Sequence, residues 1–250
     1  MSVSAAERPA AERAPAEHPA AAHAEATSTR WGVIQFPGSC DERDALHACT
    51  LAGGSARLVW HEDRDLAGFD AILIPGGFSY GDYLRAGAIA RFSPAIEAVI
   101  EFAAAGGAVL GICNGFQVLC EAGLLPGALL INENMRFICR QVELVATGAD
   151  SAFTRGITAG ERLSIPSKHS AGRFHAPPEL LEEIEAGEQV TLRYAPGQNP
   201  NGSANEIAAI TNATRNVMGL MPHPEHAVEE LSGSTDGLRL FESVAALASA

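Results

Sequence analysis

The sequence predicts an α/β fold: a doubly wound, mostly parallel sheet with helices on both faces and an antiparallel extension in its second half. Three observations support this prediction. In the first half, short apolar runs alternate with amphipathic helical runs, which is the pattern of parallel strands joined by helices. Glycine-rich loops follow two of these apolar runs, where such sheets carry their functional loops. In the second half, strand-like runs succeed one another with little helix between them.

The first half contains four predicted strands and three predicted helices. The strands are expected over residues 31–36, 56–60 and 71–74 and in an apolar run that ends at Gly111. Two helices are expected over 41–51 and 94–105, and a third starts at Asn114, a good N-capping residue, and ends near Gly123.

The second half contains strands separated by turn residues. They are expected over residues 137–146, 163–165, 190–194, 207–211 and 217–221, with amphipathic helices over 178–186 and 237–248. Because few helices separate these strands, we expect them to extend the same sheet in antiparallel fashion.

Composition limits the domain count and the partners. Residues 1–29 are rich in Ala, Pro and Glu and poor in large apolar side chains, so we predict a disordered extension followed by one domain over 30–250. The formal net charge of −13 disfavours nucleic acid as a partner. The chain has no apolar run long enough for a membrane span. Its five cysteines form no C-x-x-C pair, which favours a reduced, cytosolic protein.

One cysteine stands in a strand-to-helix turn. Gly111-Ile-Cys113-Asn-Gly115 has the pattern of a nucleophile elbow with sulfur in place of oxygen. We expect Cys113 to stand exposed above the sheet, over the positive end of the next helix, which favours a thiolate. The alternative, that Cys113 is a small buried hydrophobe, holds for most isolated cysteines.

A base and an orienting acid follow the last predicted strand. His223 would draw the proton from Cys113, and Glu225, two residues on, would hold the imidazole ring in the useful tautomer. Alternatively, His223 is a solvated loop residue and Glu225 caps a short helix over 226–231. A metal site formed with His226 is disfavoured, because no motif such as H-E-x-x-H is present, and no metal is expected.

Gly76 and Gly77 follow the third predicted strand. A thioester route passes through oxyanions that need preplaced donors. The backbone N–H groups of Gly77 and Asn114 are the expected pair, and Gly76 is expected to contact the substrate from the same loop. The alternative is a plain tight turn.

Several strings together resemble the class I glutamine amidotransferases, and among them the glutaminase subunits of phosphoribosylformylglycinamidine synthase. The resemblance covers about residues 31–248. The strings that carry it are Phe36–Ser39, Ile74–Arg85, Gly87–Phe92, Gly111–Gln117, Leu124–Gly127, Arg136–Arg140, Asn199–Gly202 and Met221–Glu229.

The resemblance implies an activity. Cys113 would attack the side-chain amide of L-glutamine, ammonia would leave, and water activated by His223 would hydrolyse the glutamyl thioester. Gln117 matches a position that contacts glutamine in this class; an exposed helix-forming residue is the equally weighted alternative. Two rival functions remain open, a cysteine peptidase or hydrolase on the same fold and a catalytically idle regulatory subunit.

The resemblance also implies partners. The ammonia would pass to a synthetase subunit that converts formylglycinamide ribonucleotide to formylglycinamidine ribonucleotide in purine biosynthesis, with a small third subunit bridging the pair. ATP and magnesium would belong to that synthetase, and no cofactor is expected here. The absence of a G-x-x-x-x-G-K-[ST] loop agrees with this.

Two stretches depart from the family pattern. Cys40-Asp41-Glu42 stands where many members have Asn-Cys-Asp, and His169-Ser170-Ala171-Gly172 stands where many have His-Gly-Glu-Gly. No role is therefore assigned to Cys40 or His169.

Overall fold

The computed structural model describes residues 28–245. The predicted extension, except for Ser28 and Thr29, lies outside the described residues, as does the end of the last predicted helix. Thr29 is buried, and its carbonyl accepts a hydrogen bond from the backbone N–H of Ser55 at 2.9 Å. The described chain therefore joins the sheet at its first residues.

The described residues form eleven strands and five α-helices. The strands are β1 (Arg30–Gln35), β2 (Ser55–Trp60), β3 (Ala71–Ile74), β4 (Ala108–Ile112), β5 (Ala128–Leu130), β6 (Ile138–Ala146), β7 (Arg162–His169), β8 (Arg173–His175), β9 (Val190–Tyr194), β10 (Ile207–Thr211) and β11 (Val217–Leu220). The helices are α1 (Glu42–Leu51), α2 (Pro94–Ala104), α3 (Asn114–Glu121), α4 (Pro178–Ala186) and α5 (Leu238–Ala245).

Nine of these strands form one sheet, in the order β2-β1-β3-β4-β11-β10-β9-β6-β7. The first five strands in this order, from β2 to β11, all run parallel to one another. The remaining four pair antiparallel, from β11–β10 through to β6–β7. The predicted fold class is thereby confirmed, and β11 is the strand at which the sheet changes from parallel to antiparallel pairing.

The central strands are covered on both sides. Successive side chains of a strand point to opposite faces, and every residue of β3 and β4 is buried. Both faces of the sheet must therefore be covered there, which explains why these strands read as continuous apolar runs.

The structure differs from the sequence-based expectation in three places. The small sheet β5–β8 was not predicted, because each of its strands has only three residues. Asn114 is the first residue of α3, and Cys113 occupies the N-cap position. Two 3₁₀ turns, Pro224–His226 and Glu230–Ser232, lie at the two ends of the range 226–231 where one short helix was considered. No helix within residues 28–245 is long and apolar enough to cross a membrane.

Candidate active site

Three neighbouring parallel strands bring the predicted site residues together. Gly76 and Gly77 follow β3, Cys113 follows β4, and His223 comes shortly after β11. Because β3, β4 and β11 are adjacent and parallel, their carboxyl ends share one edge of the sheet. Residues far apart in sequence therefore meet at this edge, as expected for a doubly wound sheet.

Cys113 has a strained backbone. Its φ is 51° and its ψ is −102°, a conformation that non-glycine residues seldom adopt and that is typical of functional turns. The predicted strand-to-helix turn is present, but the expectation that Cys113 stands exposed is wrong, because its side chain is only 6% exposed. The strain lies on Cys113 itself, and its flanking glycines serve close packing. A Cβ atom on Gly115 would lie 2.0 Å from the Ile74 carbonyl oxygen, and one on Gly111 would lie 2.7 Å from the Gly115 carbonyl carbon.

His223 and Glu225 form a buried hydrogen bond. The His223 Nδ1 atom lies 2.6 Å from Glu225 Oε1, and the two side chains are 1% and 0% exposed. The solvated-loop alternative for His223 is therefore wrong. Since the carboxylate accepts the Nδ1–H, Nε2 carries the titrating lone pair. Within the described chain Nε2 has no hydrogen-bond partner, which leaves it available for proton transfer.

Opposing effects set the protonation of His223. Burial lowers its pKa, but the Glu225 carboxylate and the Cys113 sulfur outweigh burial and raise the pKa to about 10. The raised pKa favours the protonated form of the His223 ring, which can act as a general acid.

A second carboxylate lies beside His223. Asp41 Oδ2 is 3.5 Å from His223 Nδ1, and Asp41 Oδ1 is 2.6 Å from Lys168 Nζ. The lysine compensates the charge of a carboxylate that is only 6% exposed. Sequence reasoning missed both residues, although the departure at Cys40-Asp41-Glu42 was a signal that this position differs.

Gly77 and Asn114 are the predicted oxyanion donors. The Gly76 carbonyl accepts hydrogen bonds from Cys40 N at 3.1 Å and Asp41 N at 3.3 Å. The N–H of the Gly76–Gly77 peptide therefore points away from those donors, because the peptide is trans. Neither Gly77 N–H nor Asn114 N–H donates a hydrogen bond within the described residues. Neither N–H is therefore committed to an acceptor among the described residues, and Gly77 lines the cavity whereas Asn114 does not.

Gln117 lies in the same cavity but its side chain is already engaged. Its Nε2 donates to the Ala171 carbonyl at 2.6 Å, and its Oε1 accepts from Asn114 Nδ2 at 2.9 Å. It is buried, so the exposed-helix alternative is wrong. Gly76 is not among the described residues that line the cavity, but a Cβ atom there would lie 2.7 Å from His223 Cε1. The substrate roles of Gln117 and Gly76 stay predictions.

Four of the predicted site residues, Gly77, Cys113, Gln117 and His223, line one cavity. The residues that line it are Cys40, Asp41, Gly77, Phe78, Asp82, Cys113, Gln117, Phe137, Lys168, His169, Ser170, Ala171 and His223. The segment from Lys168 to Ala171 belongs to β7 and the turn after it. The antiparallel half of the sheet therefore supplies one wall of a cavity whose reactive groups come from the parallel half.

The two residues to which the sequence assigned no role both line this cavity. Burial lowers the pKa of His169 to about 4, aided by the nearby His223. His169 is therefore neutral, and its Nδ1 pairs with Asn132 Oδ1 at 3.1 Å. Burial and the adjacent Asp41 raise the pKa of the Cys40 thiol, which makes it a poor nucleophile.

One cluster has the composition of a metal site. Ligand atoms of Asp41, His223, Glu225 and His226 lie within 4.8 Å of one another. However, the Lys168 ammonium contacts Asp41, and Glu225 is hydrogen-bonded to His223. These atoms are engaged with one another, and a cation beside Asp41 opposes metal binding, so the cluster favours proton transfer.

The chain matches a family model over residues 28–243, the CobB/CobQ-like glutamine amidotransferase domain. The phosphoribosylformylglycinamidine synthase subunit PurQ of Frankia casuarinae is 56% identical over 216 residues, which cover 86% of this chain and 92% of the relative. The subunit of the same name from Streptomyces coelicolor is 54% identical over 219 residues, covering 87% and 96%.

Solved structures are also similar to this chain. A chain of PurLQS from Thermotoga maritima matches with a TM-score of 0.81 and 42% identity, covering 87% of this chain and 98% of that one. The glutaminase domain of Trypanosoma brucei CTPS, solved with bound acivicin, matches with a TM-score of 0.58 at 13% identity, covering 88% and 94%; it supports the fold alone. None of these relatives is named as a peptidase. The chain belongs to the glutamine amidotransferases, in the family of PurQ subunits of phosphoribosylformylglycinamidine synthase.

Proposed function

We propose that this chain hydrolyses L-glutamine with Cys113, His223 and Glu225 and delivers the ammonia to a synthetase subunit of purine biosynthesis. The observation that carries the proposal is the buried 2.6 Å hydrogen bond between His223 Nδ1 and Glu225 Oε1 beside the strained Cys113. It orients the base toward a nucleophile, as catalysis by a thiol requires.

The first half of the reaction releases ammonia. The Cys113 thiolate attacks the amide carbon, and the carbonyl oxygen becomes an oxyanion that accepts hydrogen bonds from the N–H groups of Gly77 and Asn114. The proton on His223 Nε2 passes to the amide nitrogen, the C–N bond breaks, and ammonia leaves. A glutamyl thioester on Cys113 and a neutral imidazole remain.

The second half restores the enzyme. His223 takes a proton from water as the water oxygen attacks the thioester carbon, and a second oxyanion forms on the same two donors. The C–S bond then breaks, glutamate leaves, and Cys113 is again a thiolate beside a protonated imidazole. Glu225 keeps its hydrogen bond to Nδ1 throughout, which holds Nε2 toward the reacting atoms.

The ammonia is consumed in the partner. Exposed apolar side chains stand at the cavity and in its neighbouring loops, with Phe78 at 46%, Phe137 at 54% and Met135 at 81% exposure. Exposed apolar clusters of this kind favour protein contacts. The proposed partners are a synthetase subunit, which holds ATP and magnesium, and a small bridging subunit. A cytosolic location is part of the proposal, as the odd number of free cysteines indicates.

The test compares two nitrogen sources in the reconstituted complex. Cys113→Ala should reduce glutamine-dependent formation of formylglycinamidine ribonucleotide to less than about a hundredth of the wild-type rate. The rate with added ammonium chloride should not change, because the synthetase needs only ammonia. Cys139→Ala, which removes an exposed cysteine, is the matched control. Glutamine-dependent activity that survives in Cys113→Ala would exclude this nucleophile.

A further inference from the structure

Two acids that the proposed mechanism does not use line the cavity, Asp41 and Asp82. Asp82 is half-buried and lines the cavity. Its carboxylate is hydrogen-bonded only weakly, by Asn114 Nδ2 at 3.4 Å from Oδ1. It takes part in none of the ion pairs formed by residues 28–245. Burial raises its pKa to about 6. A carboxylate in this setting lacks a cation.

The other charged groups of the cavity are already paired. Lys168 is the lysine of the lining, and its Nζ lies 2.6 Å from Asp41 Oδ1. Asp41 also has His223 Nδ1 at 3.5 Å and His226 Nε2 at 3.6 Å. Asp41 therefore has its counter-charges within the protein. Asp82 is left as the carboxylate that a cationic ligand group can approach.

The loop that carries Asp82 is held in a strained conformation. Tyr80, Asp82 and Leu84 all have positive φ, at 53°, 54° and 68°, which non-glycine residues adopt only at a cost. Asn114 holds this loop against α3: its Oδ1 accepts from Ser79 N at 3.1 Å. The strained backbone therefore lies in the part of the loop that lines the cavity. Strain of this kind is typical of ligand-binding segments.

The position of Asp82 fits one end of the substrate. Asn114 Nδ2 contacts both Asp82 and Gln117, and Gln117 stands one helical turn beyond Cys113. A turn of α-helix rises about 5.4 Å, which is close to the separation between the amide carbon and the α-nitrogen of extended glutamine. With the amide carbon at Cys113, the amino-acid end of the substrate reaches the region of Asp82.

We infer that Asp82 binds the α-ammonium group of the substrate and thereby selects a free α-amino acid. The inference rests on the proposed function, because that function places the amide carbon at Cys113. The carboxylate would gain the counter-charge that residues 28–245 do not provide, through a charge-assisted hydrogen bond. Asp82 is then a specificity residue, distinct from the groups that make and break bonds.

The experiment measures Asp82→Asn in the full complex with two substrates. Asparagine tolerates positive φ, so the loop conformation is kept while the charge is lost. For L-glutamine, kcat/KM of ammonia release should fall about 10- to 100-fold, chiefly through KM, as expected for loss of a hydrogen bond between charged groups. For glutaramate, which is glutamine without its α-amino group, kcat/KM should stay the same. The preference of the enzyme for glutamine over glutaramate should therefore collapse.

The matched control is Asp63→Asn, which removes an exposed carboxylate outside the cavity and should change neither value. An equal fall for both substrates in Asp82→Asn would overturn the inference, because the residue would then only support the loop. An unchanged rate with glutamine would also overturn it. A wild-type complex that releases no ammonia from glutamine would instead refute the proposed function, so the two failures are distinguishable.

Discussion

The parallel and antiparallel halves of the sheet contribute different things to the cavity. The parallel half carries the groups proposed to react: Cys113 after β4, His223 after β11 and the Gly77 N–H after β3. The antiparallel half contributes β7 and its following turn, with Lys168, which neutralises Asp41, and a neutral His169. Parallel strands end at one edge of the sheet and bring the proposed reactive groups together there. The antiparallel extension forms a wall of the same cavity and supplies the cation that pairs with Asp41.

The proposed reacting groups therefore belong to one half of the sheet, and the groups that pair with nearby buried charges belong to the other. A change in the parallel half should act on the rate, since it moves reacting atoms. A change in the antiparallel half should act on the stability of the buried charges, since it moves their partners. Two substitutions, one in each half, test whether the halves are separable in this way, and a third asks whether a charged group in the parallel half also affects stability.

The largest effect is expected from Gly76→Ala in the parallel half. The new Cβ atom would lie 2.3 Å from Asp41 Oδ2 and 2.7 Å from His223 Cε1, so the imidazole must shift. Misplacing a catalytic group by about 1 Å costs on the order of 10²-fold in rate. We expect a loss of this size in glutamine-dependent turnover, with ammonia-dependent synthesis retained in the complex. Gly187→Ala, at the end of α4 with its nearest contact at 3.1 Å, is the control. A Gly76→Ala rate within about threefold of wild type would contradict the proposed positioning of His223.

An intermediate effect is expected from Lys168→Met in the antiparallel half. The variant leaves the Asp41 carboxylate buried without its cation, and the free energy of unfolding should fall by about 1–3 kcal/mol. Arg162→Met, also on β7, breaks an exposed pair with Glu143 and should cost no more than about 1 kcal/mol. Denaturant titration measures both. Adding Asp41→Asn to Lys168→Met should recover part of the lost stability, because it removes the unpaired charge. If Lys168→Met cost no more than Arg162→Met, the Asp41–Lys168 pair would not contribute to stability.

The smallest effect is expected from Asp82→Asn on stability, and it should depend on pH. The pKa of Asp82 is raised from 3.8 to about 6 by burial, so the folded state binds its proton more tightly than the unfolded state does. Ionised Asp82 therefore opposes folding above about pH 6, and this penalty vanishes as the pH falls below the unfolded value. Thermal unfolding should show the variant to be more stable than wild type near pH 8, with the difference shrinking toward about pH 4. If the stability difference between Asp82→Asn and the wild type grew as the pH fell, the raised pKa of Asp82 would be contradicted.

Sequence reasoning reached the proposed nucleophile, base and orienting acid because they stand at or just after the ends of recognisable apolar strands. Adjacent parallel strands then bring such residues together, whatever their separation along the chain. The Asp41–Lys168 pair joins residues 127 positions apart, and no local pattern links them. Asp82 forms no ion pair with any residue of the described chain, 28–245, and this follows from the folded arrangement of charges, which the sequence alone does not show. Asn114 was expected to cap a helix, but its side chain instead holds the loop of Asp82.

The direction of β1 has a practical consequence for handling this protein. β1 runs parallel to β3 and, through it, to β4, so the described chain begins at the edge of the sheet opposite Cys113. The burial of Thr29 fixes that starting point. A purification tag or a surface linkage joined directly before Ser28 would therefore start on the side of the sheet away from the cavity. Sensor experiments on assembly with a synthetase should immobilise the protein through that end.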